Sequence, residues 1–408
     1  MSGYTRQEVA ERAGVDPDYV DRLVKLRILT PAAGDVGFSP GDVLRARWVR
    51  SLEHAGVPLD GMAAAVRDGA LSFSFMDVPA FDRFAGLSGT TFQELSTRTG
   101  IPLELLMVVR EAVGFAEPRP EDHVHDNELS VVPLIQLQLS EGIRPLVIER
   151  WLRVYGDSLR RIAETETAWW HSEIVTPLLA SGTAETEMLE AQADLGSRMA
   201  PFTEQALLAI YHGQQEHTWS QGLVELVESA LERAGLYSRL DRPPAVCFLD
   251  ITGYTRLTEE RGDEAAADLA ARLARLVRRS AQEHNGTPVK WLGDGVMFYF
   301  REPTDAVLAA VEMAEVVGRH GLPPAHVGIH AGPVIFQEGD YFGRTVNLAA
   351  RIAEYARPGE VLVSQDVVDA ADAEPVRFTE IGPVELKGVS GPIRLHTAHR
   401  HSQGRGHE

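Results

Sequence analysis

Lysine is almost absent from this chain of 408 residues. Of its 39 basic residues only Lys25, Lys290 and Lys387 are lysines, so arginine serves almost everywhere that a generic positive charge is needed. A compact ammonium differs from a planar guanidinium in hydration and reach. We therefore interpret Lys290 and Lys387, both in the last third of the chain, as residues whose function an arginine would not serve. The alternative interpretation is codon bias and chance.

Three further scarcities narrow the class of protein. The formal net charge is -20, which opposes tight nonspecific binding to nucleic acid or to an anionic membrane. The single cysteine, Cys247, lies in the apolar run 245–249, which predicts a small buried residue and excludes a disulfide within the chain. There is no apolar run of about 18 residues and no hydrophobic signal core at the N-terminus, so the sequence predicts a cytoplasmic protein without a membrane span.

An internal repeat organises the first third of the sequence. Residues 8–17 resemble residues 94–103, and the same offset relates two later glycines. Each copy predicts a short helix, a glycine turn, a second helix and a later helix that ends at a glycine. The turns are expected at Gly14 and Gly100, the second helices at 18–25 and 103–112, and the later glycines are Gly56 and Gly142.

The opening segment 4–15 resembles the helix-turn-helix of MerR-like regulators. Its charge argues against DNA, because the first 80 residues hold nine basic and eleven acidic side chains. The segment that would read the DNA, 16–21, carries three carboxylates that would face phosphates. We therefore interpret residues 1–80 as a MerR-like helix-turn-helix module for interaction or sensing, with DNA binding as the alternative.

The middle of the chain has a helical pattern. It predicts a helical regulatory or dimerisation domain over residues 88–236, followed by a linker over 237–244 in which two prolines stop the helix. Long helices are expected over 145–165 and 204–234, with breaks near 181–182 and at Pro201.

Two features of this region are candidates for sensing a signal. The Trp169-Trp170 pair among apolar helices is a candidate for lining a lipid or small-molecule pocket, and core packing is the alternative. Six histidines are candidates for sensing pH, because histidine is the residue type whose charge ordinarily changes near neutrality, and inert surface positions are the alternative. These histidines are His54, His123, His125, His171, His212 and His217.

Beyond residue 245 the pattern changes to short β-rich runs alternating with helices. This alternation predicts an α/β or α+β domain over residues 245–400, with a disordered tail over 401–408. Strands are expected at 245–249, 296–300, 327–330 and 361–364, and helices at 263–283, 303–319 and 345–355.

Two aspartates in this domain follow hydrophobic runs. Asp250 ends one run and precedes a glycine-containing turn, which offers backbone amides to a triphosphate. Asp294 lies between two glycines that suit a hairpin tip, and the two carboxylates together would hold two magnesium ions. None of the lysines precedes serine or threonine, so the chain has no P-loop. The amides of the turn are those of Ile251, Thr252, Gly253, Tyr254 and Thr255.

Three segments, 248–255, 289–297 and 340–351, match in order the signatures of class III nucleotidyl cyclases. The region from about residue 244 to 400 thus resembles the catalytic domain of that family, which implies an α+β ferredoxin-like fold. The segment 93–235 is more weakly similar to regulatory domains that precede soluble actinobacterial cyclases.

The resemblance implies a role for seven residues of this domain, which are given at the end of this paragraph. Two Mg²⁺ or Mn²⁺ ions per site would be the cofactors, and ATP the substrate. The implied roles are metal binding for Asp250 and Asp294, base recognition for Lys290 and Asp340, transition-state stabilisation for Asn347 and Arg351, and binding of the terminal phosphates for Lys387.

The choice of base can also be argued from the residues. Adenine presents an acceptor at N1 and a donor amine at N6, to which a lysine and an aspartate are complementary. Guanine inverts both groups, and the mismatch would cost a few kcal/mol in a dry pocket. Lys290 and Asp340 therefore predict an adenylate cyclase, and a guanylate cyclase is the alternative.

The last two catalytic candidates predict how the site is assembled. Asn347 and Arg351 are one helical turn apart, so both side chains would point from one helix face at the reacting groups. The alternative is that Arg351 pairs with Glu354 on its own helix. In the family the metal aspartates of one subunit face the other residues of its partner, which implies a symmetric homodimer. A DNA-binding regulator with a nucleotide-sensing cyclase-like domain is the rival from another class.

Overall fold

The chain folds into two compact units, Met1–Val227 and Glu228–Glu408. The computed structural model describes residues 3–31, 37–77, 86–182, 184–236, 242–292, 295–372, 374 and 376–400. The predicted tail 401–408 and residues 237–241 of the predicted linker lie outside the described residues. Residues 242–244 belong to neither helix nor strand, as a linker would require.

The first unit begins with a helical module that has its own core. Its helices are α1 (Arg6–Ala13), α2 (Pro17–Lys25), α3 (Pro40–His54) and α4 (Leu59–Arg67), followed by a 3₁₀ turn, Ser74–Asp77. Side chains from α1, α2 and α3, among them Val9, Leu23 and Val49, are fully buried together. Burial of several such side chains at roughly 1.5–3 kcal/mol each can hold a module of this size together.

A second module follows and repeats the beginning of the first. It contains β1 (Leu87–Thr91), α5 (Phe92–Thr99), α6 (Leu103–Ala112), β2 (His123–His125), α7 (Asp126–Leu129) and α8 (Val132–Ser140). β1 and β2 pair antiparallel. A separate cluster that includes Leu95, Ile101, Ile135 and Ile148 forms the core of this module.

The predicted repeat is confirmed in backbone detail. In each copy a threonine caps the first helix and a glutamate three residues later closes the capping box. Each first helix then ends at a glycine with positive φ, +67° in one copy and +73° in the other, a conformation that disfavours residues with a Cβ. The matched positions are Thr5 and Thr91, Glu8 and Glu94, and Gly14 and Gly100.

Long helices complete the first unit. α9 (Pro145–Trp170) continues through a π-helical turn, His171–Val175, into α10 (Thr176–Ala180), and the chain then enters α11 (Glu185–Arg233). The predicted break near residues 181–182 is confirmed. Within the described part of the chain, no helix combines the length and apolar content needed to cross a bilayer.

The predicted break at Pro201 is wrong, because α11 continues through this proline. A proline inside a helix costs roughly 3 kcal/mol. Contacts with α9 hold α11 on both sides of the proline. Before it, Trp170 Nε1 donates to Gln192 Oε1 at 3.3 Å, and after it the hydroxyls of Tyr155 and Tyr211 lie 2.7 Å apart.

The second unit is built on a seven-stranded mixed sheet in the order β10-β11-β9-β6-β3-β5-β4. Among the described strand pairs only β6 and β9 run parallel. The strands are β3 (Ala245–Ile251), β4 (Thr287–Leu292), β5 (Gly295–Phe300), β6 (Ala325–Ala331), β7 (Ile335–Gln337), β8 (Asp340–Phe342), β9 (Val361–Ser364), β10 (Val376–Val384) and β11 (Ile393–Arg400), where β7 and β8 form a separate hairpin. The helices are α12 (Tyr254–Arg261), α13 (Asp263–Glu283), α14 (Pro303–Arg319), α15 (Arg344–Tyr355) and α16 (Gln365–Ala370).

Helices cover both faces of this sheet. Cys247 and Leu249 of β3 pack in a core with side chains of α13 and α14, whereas Val246 packs with Val346 and other α15 side chains on the opposite face. Burial on both faces explains why the run 245–249 is apolar without alternation. Burial also raises the pKa of the Cys247 thiol, which agrees with its interpretation as a buried apolar residue.

A close helix–strand contact sets the height of α15 above the sheet. A Cβ built on Gly328 of β6 would lie 2.1 Å from the backbone nitrogen of Ala353, so this strand position requires glycine. The fold is thus a mixed sheet with helices on both faces beside a helical first unit. The finer ferredoxin-like assignment stays a prediction.

Candidate functional site

The hairpin predicted around Asp294 is present. β4 and β5 pair antiparallel with Leu292 opposite Gly295, as a hairpin requires, and Asp294 itself lies outside the described residues. On its other side β5 pairs with β3, where Gly295 is opposite Asp250. A Cβ on Gly295 would lie 3.2 Å from Asp250 Oδ1. The register therefore brings Asp250 next to the residue that follows Asp294.

The Asp250 carboxylate is partly exposed at the end of β3. Its Oδ1 accepts a hydrogen bond from the Ile251 amide at 3.0 Å, and its Oδ2 lies 3.6 Å from His326 Nε2. The ring of His326 is also within 3.3 Å of Thr252 Oγ1. His326 is a neighbour of the site that the sequence did not reveal, because only the pairing of β3 with β6 brings it opposite Asp250.

The predicted phosphate turn has the expected shape, but its amides differ in their partners. The Ile251 amide bonds to Asp250, and the Thr252 amide donates to Pro324 O at 3.0 Å. Gly253 adopts φ +77° and caps α12. The amides of Gly253, Tyr254 and Thr255 therefore head a helix, where N–H groups have no intrahelical acceptor. These three are the better candidates to face phosphate oxygens.

Lys290 and Asp340, far apart in the sequence, are in direct contact. Lys290 Nζ lies 2.5 Å from Asp340 Oδ2, and the other carboxylate oxygen accepts from the Tyr341 amide at 2.8 Å. The two side chains remain 36% and 25% exposed, so a ligand can reach the pair. The structure brings together the two residues that the sequence grouped as a base pocket.

The carboxylate of Asp250 and the Lys290–Asp340 pair lie on one face of the sheet. Lys290 is opposite Met297, and Asp250 is opposite Gly295 two residues earlier on the same strand. Residues directly opposite in antiparallel strands point to the same face. That face is the one covered by α15, because Met297 packs with Val346. A charged rim therefore borders an apolar core on this side.

Asn347 and Arg351 lie on the outer side of α15. Their neighbours Val346, Leu348 and Ile352 are buried, whereas Asn347 is exposed and Arg351 is about 40% exposed. The two side chains therefore share a face that is turned away from their own sheet, as their spacing predicts.

Arg351 forms the alternative contact that its sequence position allows. Its Nη1 donates to both carboxylate oxygens of Glu354, at 2.7 and 2.6 Å. Such an exposed pair contributes roughly 0.2–1 kcal/mol. It therefore does not prevent Arg351 from binding a stronger anion.

Lys387 is exposed in the turn between β10 and β11. The preceding residue, Leu386, is buried in a cluster with Ile352 and Leu362, and the following Gly388 adopts φ +75°. The lysine thus projects from a turn that is anchored to the core beneath α15. The sequence-predicted residues of this domain, other than Asp294, are all at described positions.

The first unit contains a separate cavity. It measures about 660 Å³ and lies between α9 and α11, lined by Phe75, Trp169, Trp170, Leu189 and Met199 among others. Trp169 is 44% exposed, so the tryptophan pair borders a cavity rather than filling a core. The six predicted histidines are spread over different elements: His54 ends α3, His123 and His125 bound β2, His171 begins the π turn, and His212 and His217 lie on α11.

Comparison with known families agrees with this geometry. Residues 237–399 match the family described as the adenylate and guanylate cyclase catalytic domain. Residues 41–213 match the adenylate cyclase regulatory domain. Each match covers less than half of the chain, and the two do not overlap.

Individual relatives carry the comparison further. A pH-sensitive adenylate cyclase of Mycobacterium tuberculosis is 30% identical over 320 residues, which are 76% of this chain and 77% of that protein. An adenylate cyclase of Streptomyces coelicolor is 28% identical over 55% of this chain and 62% of its own length. The crystal structure of an adenylyl cyclase from P. aeruginosa aligns with 38% of this chain and 93% of that one, at 26% identity and a TM-score of 0.35. With one relative matched at this identity over more than two thirds of both chains, the protein belongs to the class III adenylate cyclases.

Proposed function

We propose that this chain converts ATP to 3′,5′-cyclic AMP and pyrophosphate at sites formed between two copies. The single observation that carries the proposal is the contact of Lys290 with Asp340 on the sheet face that also holds Asp250. A base-recognising pair and a metal-binding carboxylate on one face are what a cyclase site requires. Guanylate cyclisation is the alternative for the same site.

Base selection follows from the donors and acceptors of the pair. The ammonium of Lys290 would donate to adenine N1, and the carboxylate of Asp340 would accept from the N6 amine. In the structure the two groups satisfy each other at 2.5 Å, so an entering adenine would replace one ion pair by two hydrogen bonds. Guanine would meet donor with donor and acceptor with acceptor, a mismatch of a few kcal/mol.

Asp250 fits a divalent metal ion by the chemistry of its donor. Its carboxylate is a hard oxygen ligand at a strand end, 43% exposed and beside the turn whose helix amides would face phosphates. Together with Asp294 it would hold Mg²⁺ or Mn²⁺, two ions per site. Bound ions lower the pKa of the ribose 3′-hydroxyl and neutralise charge on the phosphates. The aspartates orient these ions, and the amides of α12 hold the phosphate chain.

The remaining groups act on the transferred phosphorus. The ribose 3′-hydroxyl would lose its proton to solvent and its oxygen would form a new bond to the α-phosphorus. The bond between the α-phosphorus and the oxygen bridging to the β-phosphate would break, and pyrophosphate would leave with the electron pair of that bond. Arg351 would stabilise the charge that develops on the α-phosphate, and Asn347, on the same helix face, would orient the ribose. Lys387 would bind the terminal phosphates. Such groups typically contribute about 10²–10³ in rate each.

The outward direction of Asn347 and Arg351 supports a symmetric homodimer. Both side chains face away from their own sheet, so they would serve a substrate held by the aspartates of the partner subunit. The helix α11 supports pairing as well, because Trp219, Leu223 and Leu226 are 73%, 59% and 62% exposed. Large apolar side chains exposed at helical spacing are typical of an interaction surface.

We further propose that residues 1 to about 235 control the reaction by orienting this dimer. The domains would be a module over 1–80, a regulatory domain over 88–236, a linker over 237–244 and the catalytic domain over 245–400. The cavity between α9 and α11 supports binding of a lipid or small molecule, and the six histidines are the candidate groups for a response to pH. The M. tuberculosis relative is described as pH-sensitive.

The activity is tested with purified full-length protein, ATP or GTP, and Mg²⁺ or Mn²⁺. We expect release of cyclic AMP and pyrophosphate from ATP, with a much smaller kcat/KM for GTP. Comparable turnover of GTP would contradict the base-selection argument while leaving cyclase chemistry intact. Absence of both products with either metal ion would contradict the proposed activity itself.

The MerR-like resemblance makes DNA binding the rival for the first module. The structure supports interaction or sensing instead, because carboxylates crowd α2: Asp16 caps the helix and Asp21 pairs with Arg6 at 2.5 Å. A DNA-binding module would give a mobility shift whose affinity falls steeply with salt. We expect no shift at low salt with the full-length protein.

A further inference from the structure

The hairpin that carries Asp340 is attached to the domain by few elements. β7 and β8 form a two-stranded sheet apart from the seven-stranded one, with three residues in each strand. Ile335, Phe336 and Phe342 are 64%, 63% and 48% exposed. An isolated two-stranded hairpin is marginally stable in water. Contacts with the seven-stranded sheet must therefore fix the position of Asp340.

Tyr341 provides such a contact. Its ring stacks on Tyr299 of β5 with centroids 4.4 Å apart and planes 6° from parallel. It also packs against the cluster formed by Val246, Met297 and Val346, and Phe336 approaches its ring at 5.0 Å. A stacked aromatic pair contributes about 0.5–1.5 kcal/mol beyond its buried area. The stack therefore fastens the hairpin to the central strands.

The stack and the ion pair constrain the same carboxylate. Tyr341 follows Asp340 directly, and its amide donates to Asp340 Oδ1, so the position of the tyrosine backbone orients the carboxylate. Lys290 binds the other oxygen from β4. Tyr299 lies on the adjacent strand, two residues beyond the Met297 that pairs with Lys290. The lysine and the tyrosine ring thus hold Asp340 from neighbouring strands.

We propose that Tyr299 and Tyr341 are positioning residues for nucleotide selection. Their stack holds the Asp340 carboxylate where it accepts from the adenine amine, and loss of the stack lets the hairpin shift so that this acceptor discriminates less between the bases. The inference rests on the proposed function, since it assigns Tyr299 and Tyr341 an effect on the base that Asp340 reads. Both tyrosines act through Asp340 and the base, and neither is assigned a contact with the reacting phosphate.

The test compares ATP and GTP as substrates of full-length Tyr299→Leu. We expect the ratio of kcat/KM for ATP over GTP to fall between about two-fold and ten-fold, mainly through a higher KM for ATP. Tyr299→Phe keeps the ring and should restore the ratio. Ile381→Ala, which changes an exposed apolar residue of β10, is the control and should leave the ratio unchanged.

The same substitution made in an Asp340→Ala variant shows whether Tyr299 acts through Asp340. In Asp340→Ala the further change Tyr299→Leu should lower the ratio no more, whereas an independent role would add to the loss. Should Tyr299→Leu not fold, Phe336→Leu at the exposed edge of the stack should give a smaller fall of the same kind.

Two results would overturn the inference, and they are distinguishable. A wild-type enzyme that prefers ATP, together with an unchanged ratio in folded Tyr299→Leu and in Phe336→Leu, contradicts the positioning role alone. A wild-type enzyme without preference for ATP contradicts the base-selection proposal as well, because there is then no discrimination for the stack to support.

Discussion

The candidate functional surfaces of the two units differ in the side chains they expose. In the second unit, exposed charged groups from different segments meet on one sheet face, as Lys290 and Asp340 do at 2.5 Å. In the first unit α11 exposes several large apolar side chains, with Trp219 at 73% exposure. Exposed charge in a pocket is typical of chemistry on a small polar molecule, whereas exposed apolar surface is typical of contact with another chain or a lipid.

The comparison also separates two kinds of information in the sequence. The three segments that match the cyclase signatures specify side-chain chemistry, because phosphoryl transfer needs particular functional groups at particular places. The repeat in the first unit specifies a backbone pattern of helix caps and glycine turns. This pattern determines where helices begin and end but indicates no catalytic function. Five predictions test this division, from the largest expected effect to the smallest.

Loss of the Asp250 carboxylate should give the largest decrease in the activity of the second unit. We expect Asp250→Ala to lower cyclic AMP production about a thousand-fold, because metal-assisted charge stabilisation is worth several kcal/mol. The fold and the dimer should persist in circular dichroism and sedimentation. Asp268→Ala, an exposed aspartate on α13, is the control. Equal losses in both variants would show that the effect is not specific to the site.

The contact of Arg351 with Glu354 allows a sharper test on one helix. Arg351→Ala should lower kcat about a hundred-fold if the guanidinium stabilises the transition state. Glu354→Ala removes the same exposed ion pair and should change the free energy of unfolding by at most about 1 kcal/mol, with kcat within about two-fold. Similar kinetics in the two variants would mean that the ion pair, not the arginine, matters.

Asp340→Ala should reduce the preference for ATP over GTP rather than abolish catalysis. An adenine amine without its acceptor costs about 1–3 kcal/mol, so the preference for ATP over GTP should fall about ten- to a hundred-fold. Steady-state kinetics with both nucleotides measure the ratio. An unchanged ratio would place base recognition elsewhere.

Removal of residues 1–237 tests whether the first unit controls the activity of the second. If the first unit orients the catalytic dimer, the fragment 238–408 should differ several-fold from the full chain in maximal rate, with the same preference for ATP. Its pH profile should also change. Equal rates, pH profiles and dimer affinities would assign the first unit to localisation or partner binding.

The smallest effect concerns stability and pH. Burial lowers the pKa of His330, with a further decrease from Arg344 and an opposing increase from Asp366, while Ser364 Oγ lies 2.7 Å from the ring. Because the folded-state pKa lies below the unfolded value of about 6.5, the unfolded chain binds the proton more readily.

The stability that His330 contributes should therefore be complete above about pH 6.5 and decrease as the pH falls further. The slope is limited to about 1.4 kcal/mol per pH unit for one proton. His330→Gln should flatten this part of the curve in thermal unfolding experiments. A steeper loss of stability in the variant on acidification would contradict the assignment.

Much of the fold was predictable because local signals are strong where segments are long. The helices Asp263–Glu283 and Pro303–Arg319 begin and end where the sequence predicts. The strands β10 and β11 were not predicted, because β10 carries exposed polar residues that weaken its pattern. Pro201 was misread as a helix end because contacts with α9 are invisible in the local sequence. The domain boundary near residue 80 stays a prediction.

The sequence by itself determined which residue types are available for catalysis and where helices are capped, since both depend on neighbours a few positions away. The tertiary structure decided what those residues contact. It set Lys290 against Asp340, brought His326 beside Asp250 and engaged the Thr252 amide with Pro324 O. These contacts depend on strand register and on the packing of a hairpin over the sheet. Such long-range pairings arise only when the whole core closes, because no local segment holds both partners.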